Sequence, residues 1–345
     1  MKFLFSISGI GLGHTIRQKA IIDELKRREE DSEIVVFGYK NSYNYFKKRF
    51  KTYDILGHSF SGNKCETSSF NIIIDNFFYI FIFFIDFFNV FFRMLFIRPN
   101  LVIVDGDPVV VLASKLAFRK IVYVYNYDLN EVKFVKRKIH AQRGFFWVVL
   151  KLVYKLSSKV IIPVLTQEKR VEGKINYVSQ IIREKEKELK LKKKPILIST
   201  GGSDFGVDFV DHILEVADEF NEDFIVFGLD RKDKKNVKFF KFSEDFLDYL
   251  KLSKGLICLA GHNTLSEALF FKKAILVFYI KGLIEHEQNI NLVKDYVMVG
   301  DNCGDFKEIL KNYLNNIKLL ENKVKKLDLK GDGAKQAVDI ILSLK

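Results

Sequence analysis

The chain has 345 residues, long enough for two domains with separate cores, and its 48% hydrophobic content is that of a globular protein. Lys and Arg outnumber Asp and Glu by 56 to 43, a formal net charge of +13 that favours an anionic partner (nucleic acid, an anionic membrane or a phosphorylated substrate), although a solvated basic surface gives the same count. Cys65, Cys258 and Cys303 are too few and too scattered for a disulfide framework or a zinc site, and with a strand rather than a cleavable signal at the start they point to a reducing cytoplasm.

Residues 2–8, KFLFSIS, read as a first strand, followed by Gly9-Ile10-Gly11-Leu12-Gly13-His14. The spacing of Ile16, Ala20, Ile21 and Leu25 predicts a helix over 15–30, and 33–38 reads as a second strand. This is a Rossmann-like opening. A dinucleotide fingerprint would have glycine in place of His14 and an acidic residue closing the second strand, where Phe37-Gly38-Tyr39 stands instead. NAD binding is therefore disfavoured. A lone histidine is most often a helix cap or a packing residue. Here Gly11 and Gly13 clear side chains from around His14 and set it at a helix N-terminus, a place that suits a general base.

Residues 71–97, NIIIDNFFYIFIFFIDFFNVFFRMLFI, have the length and apolarity of a membrane span, but Asp75, Asp86 and Arg93 interrupt them. On a helix, Asp75, Tyr79, Asp86, Asn89 and Arg93 fall along one stripe and leave a wide Phe-rich face. A buried helix and a helix whose outer face meets the membrane interface or a lipid tail both fit; a spanning helix fits worst. Residues 101–104 form a strand ending in Asp105-Gly106-Asp107-Pro108. An Asp-x-Asp after a strand can hold a divalent cation on a diphosphate, but Pro108 and the apolar helix at 109–118 favour a turn lining the cleft. A strand at 121–125 leads into Asn126-Tyr127-Asp128. Residues 133–159 mix Lys133, Lys136, Arg137, Lys138, Arg143, Lys151 and Lys155 with Phe145-Phe146-Trp147, a basic amphipathic pattern that fits a membrane surface as well as a solvated helix.

A strand at 160–164 closes the first half, and REKEKELKLKKK at 183–194 reads as a charged linker or an exposed helix end. Residues 195–200 restart the pattern as a strand, with Gly201-Gly202-Ser203 and a helix through Val210, Ile213 and Leu214 behind it. That glycine turn into a helix is a phosphate cradle. Residues 224–228 and 237–242 read as further strands, and Ser243-Glu244-Asp245 as the cap of a short helix. Residues 256–260 form another apolar strand; Gly261-His262-Asn263-Thr264 then opens a helix with Leu265, Ala268, Leu269 and Phe271 as its apolar side. Such a helix start suits a second phosphate, with Glu267 one turn inside and within reach of a ribose. A strand at 274–280 runs into a polar loop with Glu285, His286, Glu287, Gln288 and Asn289, groups that suit sugar hydroxyls. A strand at 296–299, one long helix over 306–327 and a last helix at 334–344 complete the chain.

With GxGH after the first strand, Gly-Gly-Ser after the first strand of the second half, and AGHNTLSEAL followed by HEQxxN, the chain resembles the two-domain GT-B glycosyltransferases. It is most similar to those related to the lipid-intermediate N-acetylglucosaminyltransferase of peptidoglycan synthesis, the family 28-like enzymes. The resemblance implies an α/β fold of two Rossmann-like domains facing a cleft: an acceptor-binding domain at 1–183, a linker at 184–194 and a nucleotide-sugar domain at 195–330. A C-terminal helix at 331–345 would pack back on the first domain. It implies Gly201, Gly202, Ser203, Gly261, His262, Asn263 and Thr264 at the donor diphosphate, Phe242, Ser243 and Glu267 at the nucleoside, and His286, Glu287, Gln288 and Asn289 at the sugar. It makes His14 the base, with Gly11, Gly13, Asp105 and Asp107 on the acceptor side.

The activity so implied is an inverting transfer from a UDP-sugar such as UDP-GlcNAc to a hydroxyl of a lipid-linked or membrane acceptor, with no essential metal and no cofactor beyond the nucleotide-sugar co-substrate. The enzyme would sit peripherally on the inner face of the cell membrane through 71–97 and 133–159, and would not bind nucleic acid. A UDP-sugar 2-epimerase of the same architecture and a non-catalytic nucleotide-sugar-binding membrane subunit are the alternatives. The chain departs from the peptidoglycan enzyme in its shorter GIGLGH loop, in His262 within the phosphate turn and in Asn289 where that enzyme has glutamine.

Overall fold

The computed structural model describes residues 1–57, 79–129, 140–166, 170–183, 189–201, 206–241, 243–302 and 304–345. They divide into two compact units: the described residues up to Arg183 together with Gly331–Lys345, and those from 189 to Lys330.

The first unit runs β1 (Lys2–Ile7), α1 (Gly13–Arg28), β2 (Glu33–Gly38), α2 (Lys40–Phe46), β3 (Lys51–Asp54), α3 (Tyr79–Ile97), β4 (Leu101–Asp105), α4 (Pro108–Leu116), β5 (Lys120–Val124), α5 (His140–Leu156), β6 (Lys159–Pro163), β7 (Val171–Glu172) and β8 (Ile175–Val178). Its sheet has the order β3-β2-β1-β4-β5-β6-β8-β7, parallel except for the β7–β8 pair. Strands buried on both faces need apolar residues at every position rather than at alternate ones, and Leu101–Val104 and Ile121–Val124 are such runs. The strand order reverses between β1 and β4, where Ile7 pairs with Asp105. Loops leaving the carboxyl ends of those two strands diverge there, and open α/β sheets place ligands at that point.

The second unit runs β9 (Ile196–Ser199), α6 (Val207–Val216), β10 (Phe224–Phe227), β11 (Val237–Phe240), α7 (Phe246–Leu252), β12 (Gly255–Leu259), α8 (His262–Phe270), β13 (Ala274–Phe278), α9 (Ile284–Val293), β14 (Met298–Val299), α10 (Phe306–Asn315) and α11 (Ile317–Lys325). Its parallel sheet, β11-β10-β9-β12-β13-β14, reverses between β9 and β12 in the same way. The last helix, α12 (Gly333–Leu342), belongs to the first unit, where Ala337, Val338 and Ile341 join the core of Phe3, Phe5 and Leu25. Arg28 pairs with Asp339 at its surface.

The helix expected over 306–327 is two helices. Asn316 leaves helical geometry at φ −104° and ψ 7°, and its Nδ2 donates to the Asn312 carbonyl at 2.9 Å, a local bond that competes with the helical ladder. The short α7 has no side-chain cap from Asp245, its N-cap residue; Ser243 Oγ instead accepts from the Asp245 N–H at 3.1 Å. Asp75 and most of the cations at 133–143 lie outside the described residues, as do Cys65 and Cys303. Cys258 is buried within β12 as a core residue.

Candidate active site

Four side chains converge at the switch point of the first unit. His14 sits in the first turn of α1, which Gly13 opens, and the Gly11 carbonyl before it accepts from Asn41 Nδ2 at 3.2 Å. Asp105, the last residue of β4, is fully buried, with Oδ1 2.7 Å from His14 Nδ1. Arg17, one turn further along α1, forks onto both carboxylate oxygens at 2.6 and 3.0 Å, and Gln18 Nε2 donates to Oδ2 at 2.7 Å. Burial alone would push the Asp105 carboxyl up; the Arg17 guanidinium, and after it the His14 ring beside the carboxylate, more than reverse this and hold it below the usual carboxylate range.

An ionised carboxylate only accepts hydrogen bonds, so Nδ1 of His14 carries a proton toward Asp105, and in the neutral ring Nε2 is then the nitrogen with the lone pair. Arg17 Nη2 also lies 3.1 Å from Nδ1, where two donors crowd one carboxylate oxygen. The imidazole stacks on Tyr125 with centroids 6.2 Å apart, and its side chain remains 18% exposed. Gly106 turns with φ +81°, and a Cβ there would stand 3.5 Å from His14 Cε1. The sequence reading set Asp105 in a turn and passed over Arg17 and Gln18; their signal was the three- and four-residue spacing from His14 on one helix.

Asp107 does a different task. Its Oδ1 accepts from the Val109 and Val110 N–H groups at 3.0 and 3.4 Å, capping α4, while Oδ2 is buried with no hydrogen-bond partner. Burial, together with the charge of Asp86, pushes its carboxyl up to about 7. Asp86 is itself buried in α3 and accepts from the Leu56 and Gly57 N–H groups at 3.1 and 3.2 Å. Among the described residues no group of three or more His, Cys, Asp or Glu is placed to hold a metal ion. Asn126, Tyr127 and Asp128 are buried, and Asp128 Oδ2 accepts from Arg170 and Tyr177 at 3.0 and 2.7 Å.

In the second unit, Ser199 of β9 pairs with Cys258 of β12, so the turns leaving these strands lie side by side. Gly201, with φ +70°, turns away from β9, and Gly202 and Ser203 lie outside the described residues. Gly261 is the N-cap of α8, so His262, Asn263 and Thr264 form the first turn of that helix, at its positive dipole end. Glu267 is buried in the same helix. Phe242 lies outside the described residues; Ser243 precedes α7.

His286, Glu287, Gln288 and Asn289 are on a helix, α9, and not in the polar loop expected for them. Glu285 and Glu287 stand near its start, where acidic side chains suit the dipole, and Glu287 Oε1 accepts from the Gly282 N–H at 2.9 Å. His286 Nδ1 accepts from the Ile280 N–H at 3.1 Å, which leaves Nε2 as the donor. Burial, opposed by Glu285, drops its imidazolium to about 4, so the ring is neutral at pH 7. Gln288 is buried, and Asn289, fully buried, donates to the Ala260 carbonyl at 2.8 Å, tying α9 to the turn before α8. Tyr279, Lys281, Asp301 and Asn302 line a shallow cavity beyond β13 and β14 that sequence reasoning did not single out.

Of the polar stripe of α3, Asp86 is buried and Asn89 and Arg93 are half-buried. Asp86 is buried beside Val90 and Met94, and Arg93 bonds Asn89 at 2.7 Å and covers the Tyr53 ring at 4.8 Å. The opposite face exposes Phe84, Ile85, Phe88, Phe92 and Phe96, the last 87% exposed. α4 packs against both α3 and α5, and next to them Phe118, Val148 and Leu152 are exposed too. No helix among the described residues is long and apolar enough to cross a membrane.

The family model described as glycosyl transferase family 1 matches residues 1–317. An uncharacterized glycosyltransferase of Methanosarcina acetivorans is 26% identical over 226 residues, 57% of this chain and 59% of that protein, less than two thirds of its length. One from Methanosarcina mazei is 25% identical over 333 residues, 86% of this chain and 84% of its own. Among solved structures, MurG of Acinetobacter baumannii is similar with a TM-score of 0.62 at 12% identity, covering 99% of each chain. The calicheamicin glycosyltransferase CalG4 has a TM-score of 0.68 at 13% identity, covering 99% of this chain and 98% of its own. These likenesses show the GT-B fold, in accord with the two parallel sheets. Because the family match runs from the first strand through both glycine turns and α9, the chain belongs to glycosyl transferase family 1.

Proposed function

We propose that this chain transfers a sugar from a nucleotide-sugar, a UDP-sugar such as UDP-GlcNAc, to an acceptor hydroxyl with inversion at C1. The observation that carries the reading is the Asp105–His14 contact of 2.7 Å, which leaves Nε2 of a partly exposed imidazole as the proton acceptor. In this mechanism the acceptor O–H gives its proton to Nε2 while its oxygen attacks the anomeric carbon. The C1–O bond to the diphosphate breaks in the same displacement, and the leaving charge is received by N–H groups at the start of α8 and at the Gly201 turn. Glu267 accepts from the ribose hydroxyls, and neutral His286, with Nε2 as donor, supports the sugar side. No step calls for a metal ion. Family membership favours transfer over the epimerase reading.

The acceptor we infer is lipid-linked, or lies at a membrane surface. The exposed Phe84, Phe88, Phe92 and Phe96 on α3 support this, as do Lys115, Lys151 and Lys155 on the neighbouring α4 and α5. The enzyme would then work peripherally, on the side of the membrane where nucleotide-sugars are made. A thermal-shift screen over UDP-, GDP- and dTDP-sugars tests the donor class: stabilisation by UDP-sugars above the others supports the reading, and stabilisation by none of them removes it.

A further inference from the structure

The Asp105 carboxylate does not face His14 as an isolated charge. It meets four donor atoms within 3.0 Å: His14 Nδ1, Arg17 Nη2 and Nε, and Gln18 Nε2. Arg17 and Asp105 are both buried, so their charges offset each other in a poorly solvated site. The guanidinium is also 3.1 Å from the imidazole Nδ1, close enough to oppose an imidazolium directly. A histidine facing an uncompensated buried carboxylate would hold its proton tightly and be a poor acceptor at neutral pH.

We infer that Arg17 is a positioning residue that sets the proton affinity of His14: it orients Asp105 so that Oδ1 meets Nδ1, and it offsets the carboxylate charge so that the imidazole stays free to take a proton. Among the described residues, the other groups around the ring do not do this. Gln18 orients the carboxylate but carries no charge. Tyr125, which follows β5, meets the ring face, and Tyr123 is buried, its hydroxyl pushed up by that burial. Arg17 is therefore the cation that balances Asp105 at this ring.

This inference rests on the proposed role of His14 as base, but its test does not require turnover. The ring protons of the six histidines are followed against pH by NMR in the free protein, with the His14 signal assigned by its loss in His14→Asn. In Arg17→Met the midpoint of the His14 titration should rise by about one to two pH units, because an opposed cation is gone and a carboxylate is unmasked. Arg17→Lys should stay near the parent, since it keeps the charge, and Gln18→Leu should not move it. If Arg17→Met does not fold, Arg17→Gln removes the charge while keeping a donor to the carboxylate, and the same rise is expected. An unchanged midpoint in the folded charge-removing variant overturns the inference, as does an equal rise in Arg17→Lys. Neither result bears on whether His14 is the base, which turnover of a His14 variant decides separately.

Discussion

Asp105 Oδ1 lies 2.7 Å from Nδ1 of His14 although the two residues are 91 positions apart. The parallel pairing of β1 with β4 brings them together, because Ile7 and Asp105 are in register and His14 opens the next helix. A carboxylate there fixes the tautomer that leaves Nε2 unprotonated; an amide does not. Asp105→Asn should therefore lower turnover by about 10²–10⁴-fold while leaving nucleotide affinity unchanged. Paired measurements of kcat and of nucleoside diphosphate binding check this, and turnover within twofold of the parent would count against it.

Asp107 predicts a stability that depends on pH. Its carboxyl is raised to about 7 in the folded chain, so the folded state keeps a proton that the unfolded state releases near pH 4. The group's contribution is full below about pH 4 and is lost as pH rises through 7. Asp107→Asn keeps the acceptor that caps α4 and removes the titration. Between pH 5 and pH 7 the variant should gain on the parent by roughly 1 kcal/mol per pH unit in urea unfolding. Parallel curves over that range would contradict the assignment.

Glu267, the proposed acceptor for the ribose hydroxyls, is buried one turn inside the helix that starts at the Gly261 turn. Glu267→Ala should weaken binding of the nucleoside diphosphate by roughly 10–100-fold, the loss expected when a charged acceptor leaves a hydroxyl pair. Isothermal titration gives the answer directly. Equal affinity in the two proteins would remove the ribose assignment.

For the exposed face of α3 the readout is co-sedimentation with vesicles containing phosphatidylglycerol. The parent should pellet with them, and Phe88→Ser/Phe92→Ser should remain largely in the supernatant with its melting temperature within a few degrees of the parent. Both side chains are exposed, so their loss removes little packing. A parent that stays in the supernatant would contradict the membrane acceptor.

The strands were legible in the sequence because parallel strands covered on both faces are uninterrupted apolar runs, as in Leu256–Leu259 and Ala274–Phe278. β3, β7 and β8 were not, and the strand at 160–164 does not close the first half: Lys51–Asp54 has exposed, charged ends, Val171–Glu172 is two exposed residues, and Ile175–Val178 is short and carries the polar Asn176. The first turn of α9 hid for the opposite reason. His286, Gln288 and Asn289 are buried, yet all are polar, and a helix that buries amides and an imidazole shows no apolar stripe. The break at Asn316 turns on a side-chain bond that periodicity does not see. His14 was visible from its glycine flanks, and Asp105 from its strand end. That they meet, with Arg17 between them, follows from strand order, which one sequence does not display.

The proton acceptor is the central claim, and one comparison tests it. The donor that gives the largest thermal shift is held at saturation, and release of its nucleoside diphosphate by transfer of the sugar to water, the acceptor hydroxyl present in every assay, is followed for the parent and for His14→Ala. Loss of a general base predicts turnover down by about 10²–10⁴-fold with the donor dissociation constant unchanged. Equal turnover in the two proteins at equal donor occupancy would contradict the assignment of His14.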